Sequence, residues 1–299
     1  MTALLGMGTY RAYGVPQAAT RAIEIGVDWI DTAPNYHGGS AEHLLAPVLA
    51  AHPTVKVSTK VGFLVKQHQD MAIDAGLLSE AAARKGHSLS TRYVVWQVAH
   101  SKTALGRAPD ITFVHNPEHG RPKPHQLEDR ILGAFRALEA CCHRGLTREY
   151  GVATWSALHD GSLTIEKLLA LAREAGGRAH RLRAVQLPLS LVQLGPIADA
   201  LAQHGVLADA ERAGLDVYAS APLHGGELTS IITPTVAEQL LPGVTPLQLI
   251  LGTVASAPGV SRILLSASTG QHWSAAAQSV RRQPLNSTDL RRISDAFPA

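Results

Sequence analysis

Along the chain, short runs rich in Val, Ile and Thr alternate with Ala/Leu-rich stretches whose apolar residues recur at helical spacing. Strands are predicted at residues 4–9, 28–33, 56–61, 110–116, 149–154, 184–189, 216–221 and 262–267. Helices are predicted between and after them, at 16–25, 40–51, 91–105, 125–143, 162–175, 195–213, 245–257 and 271–281. Pro16 near one start, Ser40 before Glu42, Thr245 before Pro246, and Gly145 after Arg144 supply matching cap signals. Strand-then-helix alternation predicts a parallel sheet, and eight units is the number that closes on itself. The expected fold is therefore α/β, a (β/α)8 TIM barrel, with residues 1–299 forming one domain. An open doubly wound sheet is the competing arrangement. Against it, Gly6-Met-Gly8 does not continue as Gly-x-Gly-x-x-Gly, and no helix starts directly behind it.

Segments 62–90, 117–124 and 223–243 read as long irregular stretches after strands, where binding walls are built. The first predicted strand begins almost at residue 1, leaving the opposite barrel mouth without a preceding plug. A second copy of the chain, in a homo-oligomer, is a candidate cover.

Composition narrows the classes. The chain is 45% hydrophobic and 17% charged, as in ordinary globular proteins, and no apolar run is long enough to cross a bilayer, so no membrane role is expected. The first residues do not read as a secretory leader, and the two cysteines, Cys141 and Cys142, are adjacent and unsuited to a disulfide framework. A cytoplasmic location follows as an expectation. The net charge is +3, and the pairs Arg281-Arg282 and Arg291-Arg292 lack interleaved aromatics, so nucleic acid is not an expected partner. Fifteen histidines raise the question of a metal. Pro117 breaks registration between His115 and His119, the pair His37 and His43 has no further ligand motif, and no metal site is expected.

Candidate chemistry sits at strand ends. Lys60 ends the run 56–60, Asp31 closes the apolar run 27–30, with Tyr36 five residues on, and His115 follows the run 110–114. In a parallel barrel these ends converge on one face. A buried ammonium requires a partner such as Asp31, and a phenol beside that pair loses its proton more readily. Tyr36 thus reads as a tuned acid. Taken singly, each group also fits a structural role: a rim ion pair, a packing tyrosine, a satisfied histidine.

The ordered set Gly8-Thr9-Tyr10, Asp31-Thr-Ala-x-x-Tyr36, Ser58-Thr-Lys60, His115-x-Pro117, Gly151-Val152, Gln186 and Pro222-Leu223-x-Gly225 resembles the aldo-keto reductase superfamily nearly end to end. Val57-Ser-Thr-Lys-Val-Gly62 and Ala219-Ser-Ala-Pro-Leu223 are similar to its galactose/fucose/arabinose dehydrogenase branch. The resemblance implies hydride transfer between a nicotinamide and a carbonyl or alcohol carbon of a small or sugar-like substrate. It casts Tyr36 as proton donor, Lys60 as its tuner, Asp31 as the holder of Lys60, and His115 as the donor to the carbonyl oxygen. Tyr10, Phe63 and Asn116 are expected to border the substrate. Gly8, Thr9, Thr154, Gln186, Ser220, Pro222, Leu223, Gly225, Ser266, Ser268 and Gln271 are expected along the cofactor, NADPH by family precedent with NADH as alternative.

The cofactor side departs from the family pattern. Ala153-Thr154 stands where Ser-Asn is usual after Gly-Val, and Ser220 stands where an aromatic often stacks, Tyr218 being taken to face the other way. After the eighth strand Leu264-Leu-Ser-Ala-Ser-Thr-Gly-Gln271 offers hydroxyls and a helix start, but no cation for a 2'-phosphate unless Arg262 or Arg281 folds in. Two other functions compete: a redox-silent binding protein of the same fold, and a non-redox lyase or isomerase using Lys60 as a Schiff base, which Asp31 disfavours by keeping the amine charged.

Overall fold

A computed structural model describes residues 3–297. Eight parallel strands pair in sequence order: β1 (Leu4–Gly8), β2 (Trp29–Asp31), β3 (Lys56–Val61), β4 (Ile111–His115), β5 (Glu149–Ala153), β6 (Leu182–Pro188), β7 (Asp216–Ser220) and β8 (Val260–Leu265). β8 closes on β1, with Leu4 opposite Arg262 and Met7 opposite Leu265, so the sheet is a complete barrel. All eight strands lie within two residues of their predicted bounds. Seven helices also match closely: α1 (Val15–Glu24), α2 (Ala41–Ala51), α5 (Thr91–Leu105), α6 (Pro124–His143), α7 (Ile165–Gly176), α12 (Pro246–Ala255) and α13 (Gly270–Arg281).

Both faces of the strands are apolar because both are covered. Outward residues such as Met7, Ile30, Val57, Val114, Val185 and Ile263 pack into one large core with the helices. Inward residues form a separate cluster of Trp29, Ile111, Phe113, Ala153, Ala184, Tyr218 and Leu264. Gly151 is required inside it: a Cβ there would lie 2.5 Å from the Ala184 carbonyl oxygen and 2.6 Å from the Phe113 ring.

Three expectations change. The segment 62–90 carries α3 (Lys66–Asp74) and α4 (Glu80–Ala83), and 223–243 carries α10 (Leu228–Ile231) and α11 (Pro234–Leu240). The apolar signal was weak because α3 buries only Ala72; Ser79 and Thr233, whose side chains cap α4 and α11, were the readable cues. The helix predicted over 195–213 is two, α8 (Gly195–Leu201) and α9 (Gly205–Arg212), broken where Gln203 and Gly205 turn left-handed at φ 64° and 79°. A last helix, α14 (Ser287–Ala296), packs against α8.

The barrel floor is filled by its own side chains. The Arg262 guanidinium lies 5.2 Å from the Trp29 ring centroid and pairs with Asp28 at 2.7 Å, beneath Tyr218 and Phe113. Tyr218 does not face away from Ser220: residues two apart on a strand share a face, and both look inward at different depths.

Candidate active site

At the C-terminal ends of the strands the inward positions turn polar, supplying Asp31, Lys60, His115 and Gln186, all buried. Lys60, 2% exposed, donates to Asp31 Oδ2 at 2.5 Å and to the Thr32 carbonyl at 2.9 Å. Ser58 donates to Asp31 Oδ1 at 2.7 Å and accepts from the Trp29 indole at 3.0 Å. The carboxylate is thus fixed on both oxygens. Tyr36 opens a 3-10 turn (Tyr36–Gly39) behind β2, and His37 in that turn bonds the Thr9 carbonyl at 3.0 Å, fastening it to the end of β1. The Lys60 ammonium lies 4.8 Å from the Tyr36 ring centroid, and the Tyr36 and His115 rings meet edge to face at 6.1 Å. The structure therefore brings the four predicted groups together.

Their electrostatics follow from burial and neighbours. Burial pushes the Tyr36 phenol above its ordinary value of 10.0; the Lys60 cation pulls against this, and Asp31 adds to it. The expected lowering by Lys60 is present, but burial outweighs it. Burial also works to lower Lys60, yet Asp31 and Tyr36 more than offset that and hold it above 10.5, so the ammonium stays charged. Burial, then the Lys60 cation, His87 and His119, drive His115 well below 6.5. It is neutral at physiological pH, with one ring N–H to donate, and its buried Nδ1 has no partner among the described residues.

The residues expected to border a substrate lie around these groups. Tyr10 meets Tyr36 at 5.1 Å between ring centroids, and Phe63 meets His115 at 4.8 Å. Asn116, left-handed at φ 46°, turns the chain away from β4 while its N–H donates to the Ala153 carbonyl at 2.7 Å. Phe63 also packs on His87 and His119, which the sequence reading missed as wall residues.

This arrangement accords with what the chain resembles. The profile described as Aldo/keto reductase family matches residues 13–296. The chain belongs to the aldo/keto reductase family. A D-threo-aldose 1-dehydrogenase from Pseudomonas sp is 27% identical over 172 residues, 55% of this chain and 47% of that protein, so the match spans about half of that relative. Among solved structures, an aldo-keto reductase from Bacillus halodurans in its holo form aligns with a TM-score of 0.71 at 16% identity, over 98% of this chain and 92% of that one. One from Klebsiella pneumoniae in complex with NADPH aligns with a TM-score of 0.66 at 19% identity, over 100% and 96%. At these identities the structures speak for the fold.

Within this family member, the residues expected along a cofactor divide into two groups. Thr154 is buried with Oγ1 unpartnered, and Ser190 Oγ and Gln193 Oε1, just beyond β6, are likewise buried without partners among the described residues. With buried Gln186 they leave polar capacity unused at the ends of β5 and β6, as an amide-bearing ligand would require. Ser190 and Gln193 had no sequence signal beyond following a strand. Ser220 ends β7, and Pro222, Leu223 and Gly225 form the turn after it, strained at Ala221, φ 50°.

Other hydroxyls are already engaged. Thr9 donates to Thr32 Oγ1 at 2.8 Å, fully buried. Ser266 Oγ lies 2.7 Å from the carbonyls of Gly8 and Tyr10, and Ser268 Oγ accepts from Tyr13 N–H at 3.1 Å, so both secure the loop after β1. Gly8 sits against Ser266 at the β1 end, and Gln271 is exposed in the first turn of α13. Arg262 is committed to the floor and Arg281 to the Ile25 carbonyl at 2.7 Å, so neither folds in. Two cations among the described residues lie on this rim: Arg21, whose guanidinium donates to the Ser268 carbonyl, and Arg11, whose guanidinium carbon is 5.2 Å from the Tyr10 ring centroid. For Arg11 the chain also provides open space, its Nη1 lying 3.8 Å from where a Gly225 Cβ would stand. Among the described residues no group of three His, Cys, Asp or Glu side chains is arranged for a metal, and no helix is long and apolar enough to cross a membrane.

Proposed function

We propose that this protein is an NADPH-dependent oxidoreductase interconverting a small or sugar-like carbonyl compound and its alcohol, with NADH as the lesser nucleotide. The observation that carries the reading is the buried Asp31–Lys60 pair set under the Tyr36 ring, with neutral His115 edge-on to it. Thr154, Gln186, Ser190 and Gln193 fit the carboxamide end of a nicotinamide, and Arg11 with the turn at Gly225 fits its phosphates. Bound NADPH supplies the hydride to the carbonyl carbon.

The chain's residues do the rest. His115 donates its N–H to the carbonyl oxygen, orienting it and stabilising the charge that develops there, a contribution of about 3 kcal/mol. Tyr36 gives its phenolic proton to that oxygen. A phenol held above its ordinary value is fully protonated at neutral pH, and an alkoxide is a far stronger base than a phenolate, so the transfer runs downhill. Lys60 stabilises the phenolate left behind, and Asp31 keeps Lys60 charged and in place. The same charge leaves Lys60 unsuited to a Schiff base. The aldose dehydrogenase relative favours a sugar-like hydroxyl or aldehyde as substrate, and free Cys141 and Cys142 accord with a reducing cytoplasm.

Replacing Tyr36 by Phe tests the reading: carbonyl-dependent NADPH oxidation should vanish while nucleotide affinity, read by tryptophan fluorescence, stays within about threefold. Undiminished turnover would end the assignment. Failure of the wild-type protein to bind either nucleotide would make it a redox-silent member of the family.

A further inference from the structure

We infer that His87, on the segment returning from α4, is a positioning residue for His115 and the carbonyl site; the inference rests on the proposed oxidoreductase reading. After β3 the chain turns at Gly62, φ 134°, and departs into α3 and α4. The excursion is closed at its base by an antiparallel bridge between Phe63 and His87: Leu64 N–H donates to the Gly86 carbonyl at 3.0 Å, and Ser88 N–H to the Gly62 carbonyl at 2.9 Å. Gln97 of α5, fully buried, fixes the same turn, accepting from Gly62 N–H at 2.8 Å and donating to the Phe63 carbonyl at 2.9 Å.

From this anchored bridge His87 crosses to β4. Its Nε2–H donates to the backbone carbonyl of His115 at 2.8 Å. The next residue, Asn116, turns left-handed and leaves the strand, so this end-of-strand carbonyl depends on a side chain for its donor. The imidazole also packs edge to face on Phe63 at 4.8 Å, and Phe63 packs in the same way on the His115 ring. Gly62 makes the crossing feasible, since a Cβ there would lie 2.6 Å from His87 Nε2. One ring thus sets the backbone of His115 and the wall that confines its side chain. Burial holds His87 at about 4, so it remains a neutral donor across the working range.

The test compares His87→Phe, which keeps a ring against Phe63 but removes the donor, with His87→Gln, which keeps an N–H at similar reach. His87→Phe should lower kcat about ten- to hundredfold with nucleotide affinity unchanged, and His87→Gln should restore it to within about threefold of wild type. The His115 ring resonances should move in His87→Phe and return in His87→Gln. Equal kcat in His87→Phe and wild type, or equal loss in both variants, would overturn the inference. If the wild-type protein shows no hydride transfer, the oxidoreductase reading fails, and the His115 resonances alone decide: unmoved in His87→Phe, they refute the positioning role.

Discussion

Replacing Lys60 by Met removes the cation that the Tyr36 phenol faces. The ammonium lies 4.8 Å from the Tyr36 ring centroid; at an effective dielectric of about 20, a unit charge at roughly that separation contributes about 3.5 kcal/mol to the phenolate. Asp31, 2.5 Å from the ammonium, cancels part of this, leaving about 1–3 kcal/mol. Alcohol oxidation requires the phenolate, which burial makes the minor form at neutral pH, so the rate should rise with pH in the wild-type protein. Loss of Lys60 pushes that rise to higher pH, and at a fixed pH on the rising limb it lowers kcat/KM about ten- to hundredfold, at about 1.4 kcal/mol per tenfold. Reduction uses the phenol, so its alkaline decline should also move upward. Lys60→Met leaves a buried carboxylate unpaired, at a cost of about 3–5 kcal/mol. The double variant Lys60→Met/Asp31→Asn removes both charges and separates folding from tuning; its limb should still lie above wild type, because Lys60 acts on Tyr36 more strongly than Asp31 does. The assay is kcat/KM against pH for one alcohol, with a thermal melt for each variant. A uniform rate loss with the limb unmoved would refute the electrostatic account.

Two further outcomes follow from the geometry. Gly151→Ala forces a methyl against the Ala184 carbonyl and the Phe113 ring and should destabilise the barrel by about 1–3 kcal/mol, read as a lower urea midpoint at unchanged slope; an unchanged midpoint would contradict the packing. Arg11→Ala should weaken NADPH binding about tenfold or more in a fluorescence titration, as expected for losing a charge-assisted contact, while leaving His115 and Tyr36 untouched; equal affinity would remove Arg11 from the phosphate site.

The convergence of Asp31, Lys60 and His115 was legible because each terminates an apolar strand, and parallel strands bring their ends together whatever the helices do. The sign of Tyr36 was not legible: the convergence of strand ends showed the cation, whereas the larger opposing effect is enclosure by several elements. On the cofactor rim, hydroxyl content suggested Ser266 and Ser268 as phosphate contacts; what the sequence did not show is that these side chains also hold the loop after β1, a partner distant in sequence. Arg11 and His87 passed unnoticed for a similar reason, since a lone arginine and a lone histidine in loops acquire meaning only from Gly225 and the His115 carbonyl.

By itself the sequence determined the alternation of elements, the closed parallel barrel and the face on which polar groups gather, because period and strand ends are local properties of the chain. Only the tertiary structure decided which of those groups remain free, which protonation states they hold, and that the floor is filled by Arg262 and Trp29. Desolvation and hydrogen-bond satisfaction are set by what lies across the barrel, and residues that meet there carry no mark of one another in the linear order.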